Sequence, residues 1–205
     1  DASQLELRCL AHYMNNKEYI HEVTDGDIHT ANQKLAGLES RNQAKTFIYA
    51  LLYGAGDARL GTVAGRGREA GKKLRQSFFD NLPSFKALTG RVQREAKSGF
   101  VKALDGRKLT VRSDHRSLNT LLQGCGSIIM KEGLVLLNSK IKQKNLDAKF
   151  VANVHDEWQI EVKEDQADLV GQLGVQALRE VTCNLKLNCP LDGEYKIGNN
   201  WAETH

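Results

Sequence analysis

The chain has 205 residues, 40% hydrophobic and 26% charged, with a net charge of +4. No apolar run approaches the roughly 18 residues of a membrane-crossing helix, and no signal peptide precedes the first motif, so neither a membrane partner nor secretion is expected. Cys9, Cys125, Cys183 and Cys189 form no close CxxC pair and have no partnering His spacing, which reads as free thiols in a reducing, cytoplasmic compartment.

The chain opens with Leu5 and Leu7 alternating against Glu6 and Arg8, a pattern that suits a strand passing into a helix carrying Leu10 to Tyr13. Asp27 then caps a short helix that begins near His29. Ser40 and Gln43 read as a capping box for a helix from Arg41, and Gly54 and Gly56 as its stop. A Gly-rich turn leads to two helices, about 66 to 81 and 83 to 98, with Pro83 in a first turn. Asp105-Gly106 between FVKAL and RKLTV predicts a hairpin with a type I′ turn. His115 to Asn145 is a long helix whose Gly124 and Gly126 suggest close approach of another backbone or of nucleic acid. Lys149 to Val162 is a second hairpin with His155, Asp156 and Glu157 at its tip. A helix from about Glu164 to Thr182 and a short terminal strand pair complete an interrupted α/β (α+β) domain, in which helices insert between two sheet-forming parts.

Charge divides the chain more sharply than the total suggests. Residues 1 to 40 carry −4, residues 41 to 116 carry 17 basic and 6 acidic side chains for +11, and residues 117 to 205 carry −3, which together return +4. A basic middle between acidic flanks fits a phosphate-facing surface beside a carboxylate site, although solvated helices account for part of it.

Within that middle, Arg41, Lys45, Tyr49 and Tyr53 recur every four residues. Each such step turns only about 40° around a helix, so the four side chains form one stripe roughly 18 Å long. Cationic donors followed by flat rings suit a triphosphate followed by sugar and base. Ala44, Phe47, Ile48, Leu51 and Leu52 give the same helix an apolar face to bury.

The opening DASQLELR, with Asp1, Glu6 and Arg8, resembles the first carboxylate motif of the family A (pol I-like) DNA polymerases. The stripe Arg41, Lys45, Tyr49 and Tyr53 with Gly54 is similar to that family's nucleotide-binding helix, and VHDE from Val154 to Glu157 to its second carboxylate motif. Three motifs in order, over essentially the whole chain, make a specific signal. The likeness is to the phage replicative branch, with DIHT around His29, LDGRKLTVRS from Leu104, LNTLLQG from Leu118 and the terminal NWAETH ending in His205.

The resemblance implies a polymerase palm sheet with an inserted helical fingers subdomain: palm at 1–13, fingers at 14–114 with the nucleotide-binding helix 41–54, and palm again at 115–205. It implies template-directed DNA synthesis from dNTPs on primer-template DNA, in the cytoplasm of a phage-infected bacterial cell. Asp1 and Asp156 would hold two Mg²⁺ ions, with Lys45 the third catalytic group and Glu157 accessory. Arg41, Lys45 and His29 would meet the phosphates. Glu6, helped by Tyr53, would exclude a 2′-hydroxyl, and Tyr49 would face the sugar 3′ position, which goes with poor discrimination against dideoxynucleotides. His115, Asn119 and Gln123 would face the minor groove, and His155 would back the primer terminus.

A single-subunit RNA polymerase is the nearest competitor; it favours methionine at Tyr49, a small residue at Glu6 and serine after the HD pair, and this chain departs at all three. A catalytically inactive nucleic-acid-binding remnant has no need of both carboxylates and Lys45. A phosphohydrolase of the HD type would need further His and Asp ligands. The family's thumb and proofreading exonuclease do not occur in these 205 residues, so an N-terminal polymerase fragment is an expected partner. On that expectation the α-ammonium beside Asp1 weakens metal binding, and Leu5, Leu7, Leu10, Phe150, Val154 and Ile160 lie uncovered in the isolated chain.

Overall fold

The computed structural model describes residues 1–204; His205 lies outside them. Four short helices open the chain: α1 (Leu5–Met14), α2 (Lys17–Thr24), α3 (Ile28–Ala36) and α4 (Arg41–Leu52). Then follow α5 (Asp57–Val63), α6 (Arg68–Asn81) and α7 (Pro83–Ala96). The hairpin of β1 (Phe100–Lys102) and β2 (Lys108–Thr110) leads through a 3₁₀ turn at Asp114–Arg116 into α8 (Ser117–Gln143). A second hairpin, β3 (Ala148–Val154) and β4 (Glu157–Val162), precedes α9 (Ala167–Asn184) and α10 (Trp201–Thr204). The fold is thus α+β as expected, with its sheet confined to two antiparallel hairpins and one bridge.

Where caps are strong, the helices begin where the sequence indicates. The Asp27 carboxylate accepts the amides of His29 and Thr30 at the start of α3, and the Ser40 hydroxyl accepts that of Gln43 at the start of α4. Gln43 reaches back to the amide of Glu39, one residue earlier than a strict capping box. Gly54, at φ 78°, ends α4 in the left-handed conformation that glycine adopts without steric cost.

Several expectations change. Only Ala2 pairs at the N-terminus, with Gly193, so both the expected first strand and the terminal strand pair reduce to that bridge. Four alternating residues could not distinguish strand from helix. Leu5, Leu7, Cys9, Leu10, Ala11 and Met14 are all buried, because α1 is enclosed on nearly every side. Leu5, Leu7 and Leu10 are therefore covered within this chain, and Phe150 and Ile160 pack on a cluster formed by Leu137, Ile141, Val170, Leu173 and Ala177. Val154, 37% exposed, does lie open, and so does Val151 at a bulge in β3.

Helices α2, α5 and α10 were not anticipated. The β1–β2 turn is not type I′, which needs two left-handed residues: only Gly106 has positive φ, and its amide closes a turn onto the Ala103 carbonyl. The long helix begins at Ser117 rather than His115. Within the chain its glycines admit side chains rather than another backbone: a β-carbon at Gly124 would lie 2.3 Å from Leu109, and at Gly126 3.2 Å from Leu5. By length and composition alone the stretch Asp114–Gln143 is apolar enough to cross a membrane, as core helices also can be. That apolarity serves packing on α1, α7 and α9, and half of its most apolar 18-residue window is buried in the protein.

Candidate active site

The site begins with the stitching of the N-terminal residues between two distant segments. The Ala2 amide donates to the Asp156 carbonyl at 2.8 Å, and the Ser3 amide to the Asp192 carbonyl at 3.0 Å. The Asp1 α-ammonium and carbonyl both bond the backbone of Glu194, each at 3.0 Å. Arg8, itself buried, fixes the entry to α1 by donating from Nε to the Ser3 carbonyl at 2.8 Å and from its guanidinium to the Pro190 carbonyl. The Ala2 bond thus brings the residue next to Asp1 onto the turn that carries Asp156, while neither carboxylate accepts a hydrogen bond from a described residue.

At the tip of the β3–β4 hairpin, Val154 pairs with Glu157, so His155 and Asp156 make a two-residue turn. His155 sits at φ 50°, a left-handed conformation that costs a residue with a β-carbon about 1 kcal/mol or more and is concentrated at functional turns. The Glu157 carboxylate accepts the Trp201 indole N–H at 2.9 Å and also an amide proton of Gln159.

A cavity of about 510 Å³ opens beside this turn. Its walls include Glu6, Tyr53, Gln123, His155 and Asp156, five of the residues singled out in the sequence. The Gln123 amide donates to the Tyr53 hydroxyl at 3.2 Å and to Glu6 at 3.4 Å. Burial, and to a lesser degree the Asp156 charge, pushes the Glu6 carboxyl above its ordinary range, against the hydrogen bonds from Gln123 and Tyr53. Burial also raises the Tyr49 and Tyr53 phenols, aided by the Glu6 and Asp156 charges. A second cavity, about 410 Å³, lies between α3, α4 and α6 and touches none of the predicted site residues.

The cationic end of the stripe stands on α4. Arg41 and Lys45 are exposed, Tyr49 is half-buried, and Tyr53 is the C-cap residue at the cavity. His29 lies beside them, buried, with its ring centroid 6.4 Å from that of Tyr49 and its Nδ1 without a partner among the described residues. Burial, then the Arg41 and Lys45 charges, hold its imidazole below the usual range, which favours the neutral form.

Two minor-groove candidates are less well disposed. His115 lies on the 3₁₀ turn ahead of α8, off the helical face that carries Gln123, and the Asn119 amide nitrogen is buried without a partner. Instead the face continues from Gln123 to Ser127 and Lys131, which line the cavity and bond each other at 2.7 Å. Their spacing of four from Gln123 was the available signal. The Trp201 bond to Glu157 had no such spacing signal, because the two residues are 44 positions apart.

Among the described residues no three or more His, Cys, Asp or Glu side chains are grouped to hold a metal ion. The Asp1 and Asp156 carboxylates accept no hydrogen bond from a described residue, so their oxygens are uncommitted. Two hard oxygen donors of this kind suit Mg²⁺, which completes its octahedron with water and substrate phosphate rather than an all-protein cage.

The architecture is that of a polymerase domain. It superposes on the polymerase domain of Pol1 from M. smegmatis, solved in complex with DNA primer-template and dNTP, with a TM-score of 0.81 at 24% identity, covering 94% of this chain and 37% of that one. The family model for DNA polymerase family A matches residues 1–203, and the chain belongs to that family. It is 43% identical to the DNA-directed DNA polymerase of Escherichia phage T7 and 42% identical to that of Enterobacteria phage T3, in each case over the whole of this chain. The chain spans about a third of the length of these two relatives, 33% of each.

Proposed function

We propose that the chain carries the nucleotidyl-transfer centre of a DNA-templated DNA polymerase, adding dNTPs to a primer 3′-hydroxyl. The observation that carries this reading is the cavity where Glu6, Tyr53, Gln123, His155 and Asp156 meet, next to the helix bearing Arg41, Lys45 and Tyr49. Phosphoryl transfer asks a protein mainly to position reactants and to offset charge on the entering and leaving oxygens. Lys45 and Arg41 neutralise the β and γ phosphates, and His29, neutral, adds a hydrogen-bond donor. Because that charge grows toward the transition state, Lys45 contributes to rate as well as binding.

Glu6, held by Gln123 and Tyr53, forms the floor under the sugar and rejects a 2′-hydroxyl; Tyr49 faces the 3′ position. His155 backs the primer terminus, and Gln123 approaches the minor groove of the nascent pairs. Asp1 and Asp156 would hold two Mg²⁺ ions, with Glu157 accessory. Such ions lower the pKa of a bound hydroxyl and clamp a triphosphate.

In this reading residues 1–13 and 115–205 serve as palm and 14–114 as fingers, in a cytoplasmic enzyme of a phage-infected bacterium. The partner is an N-terminal polymerase portion carrying the rest of the palm and the thumb. The two free edges of the β3–β4 hairpin and the exposed Val151 support that partnership, since unpaired strands with apolar side chains favour pairing. The test is single-nucleotide primer extension with Mg²⁺, using this chain alone and mixed with the N-terminal two thirds of the T7 relative. Extension in either arm is expected; none in both, with primer-template bound, would leave a DNA-binding remnant.

A further inference from the structure

Asp27 does more than a helix cap requires. One carboxylate oxygen accepts the amides of His29 at 3.1 Å and Thr30 at 3.3 Å, which is the capping task. The other accepts the Thr30 hydroxyl at 2.8 Å and Arg41 Nε at 2.7 Å, so the same side chain joins the start of α3 to the start of α4. Arg41 stands at the first position of its helix, where the positive end of the dipole disfavours a cation. The carboxylate offsets that penalty and is itself held well below the usual range, first by the Arg41 hydrogen bond.

The geometry of the bond matters as much as its charge. An arginine donates through five N–H groups in a rigid planar fork. With Nε committed to Asp27, the two terminal nitrogens of Arg41 have no partner among the described residues, on a side chain that is half exposed. His29, whose amide hangs on the same carboxylate, brings its unpartnered imidazole beside Arg41 and Lys45.

We infer that Asp27 is a positioning residue for the triphosphate: it locks the Arg41 guanidinium with its two terminal nitrogens presented to phosphate oxygens and fixes His29 beside them. The inference rests on the nucleotide reading proposed above. It sets one effect against another, because Asp27 also lowers the positive potential that an anion meets. Arg41 and Asp27 side chains are 53% and 44% exposed, so that loss is screened by solvent, and orientation dominates.

The test is calorimetric titration of the full chain with dATP and, separately, inorganic triphosphate, for wild type, Asp27→Ser, Arg41→Ala and the double variant. Serine caps a helix about as well as aspartate but cannot reach Arg41, so the fold is retained. Asp27→Ser is expected to weaken both probes by about tenfold in the wild-type background and by less than about twofold where Arg41 is already alanine. Equal losses in the two backgrounds would reduce Asp27 to a cap, and tighter binding would make it a competing anion; either outcome overturns the inference. Failure of the wild-type chain to bind either probe removes the nucleotide reading, and this inference with it.

Discussion

On the α3–α4 side of the cavity, the groups proposed to meet phosphate come from residues 27 to 53, and helix geometry sets their spacing. On the hairpin side, Asp1, Asp156 and Glu194 are joined by backbone bonds that reach 193 residues along the chain. The first side is a ruler: change one residue and the others keep their places. The second is a knot, in which each member holds the next. Substitutions should therefore act locally on α4 and collectively at the hairpin tip.

The largest effect expected is at the knot. Asp1→Ala and Asp156→Ala, in the enzyme reconstituted with an N-terminal portion, should each cut single-nucleotide incorporation to below about 1% of wild type. Primer-template affinity should change by no more than about threefold, because phosphate contacts dominate it. More than a few per cent of residual activity would take that residue out of the ligand pair.

The next effect tests packing on the helical side. A β-carbon at Gly71 would lie 1.9 Å from the Asp57 carbonyl oxygen and 2.5 Å from the Gly61 amide, both backbone atoms that cannot swing aside. Gly71→Ala should cost about 3 kcal/mol by overpacking. That corresponds to a fall in melting temperature of roughly 6–12 °C. Gly90→Ala, whose β-carbon meets only the flexible Arg94 side chain at 3.4 Å, should instead stabilise α7 by up to about 1 kcal/mol. Similar melting curves for the two would contradict the close α5–α6 approach.

Selectivity separates Glu6, on the cavity wall, from Tyr49, on the helix beside it. Glu6→Ala should raise ribonucleotide relative to deoxynucleotide incorporation by about tenfold or more, and Tyr49→Phe should raise discrimination against dideoxynucleotides with little effect on normal incorporation. An unchanged dideoxy-to-deoxy ratio in Tyr49→Phe would move this helix away from the sugar.

The smallest effect is the pH dependence of His29. Its folded imidazole titrates below the ordinary 6.5, so between those two values the unfolded chain binds more protons. Stability should be fully present above pH 6.5 and fall as the pH drops through the window, with His12, also lowered by burial, acting in the same direction. His29→Gln should flatten the decline in melting temperature between pH 7 and 5.5 by about 1–2 °C. An unaltered slope would mean that His29 is not buried in the neutral form.

The ruler was legible in the sequence, and the knot only in part. Ser40, Asp27, Gly54 and the four-residue stripe are local signals, and α3 and α4 follow them. The hairpin tip was legible for the same reason, since alternating residues flank two turn positions. What escaped depends on partners far along the chain: the Ala2–Gly193 bridge and the Trp201 bond to Glu157. Leu5 and Leu7 misled because burial on both sides of a helix mimics alternation over four residues. Gly124 was read as a space for something external, and Leu109 fills it.

The bonds between Asp1 and Glu194 also bear on the order in which the molecule matures. Closing a loop of this length, 193 residues, costs on the order of 5 kcal/mol in chain entropy before any contact repays it. Helices α3 to α7, held by neighbours in sequence, can form well before that closure. The nascent chain thus displays its basic helices while Asp1 and Asp156 are still apart, and on the proposed reading divalent-metal binding would mark that folding has finished.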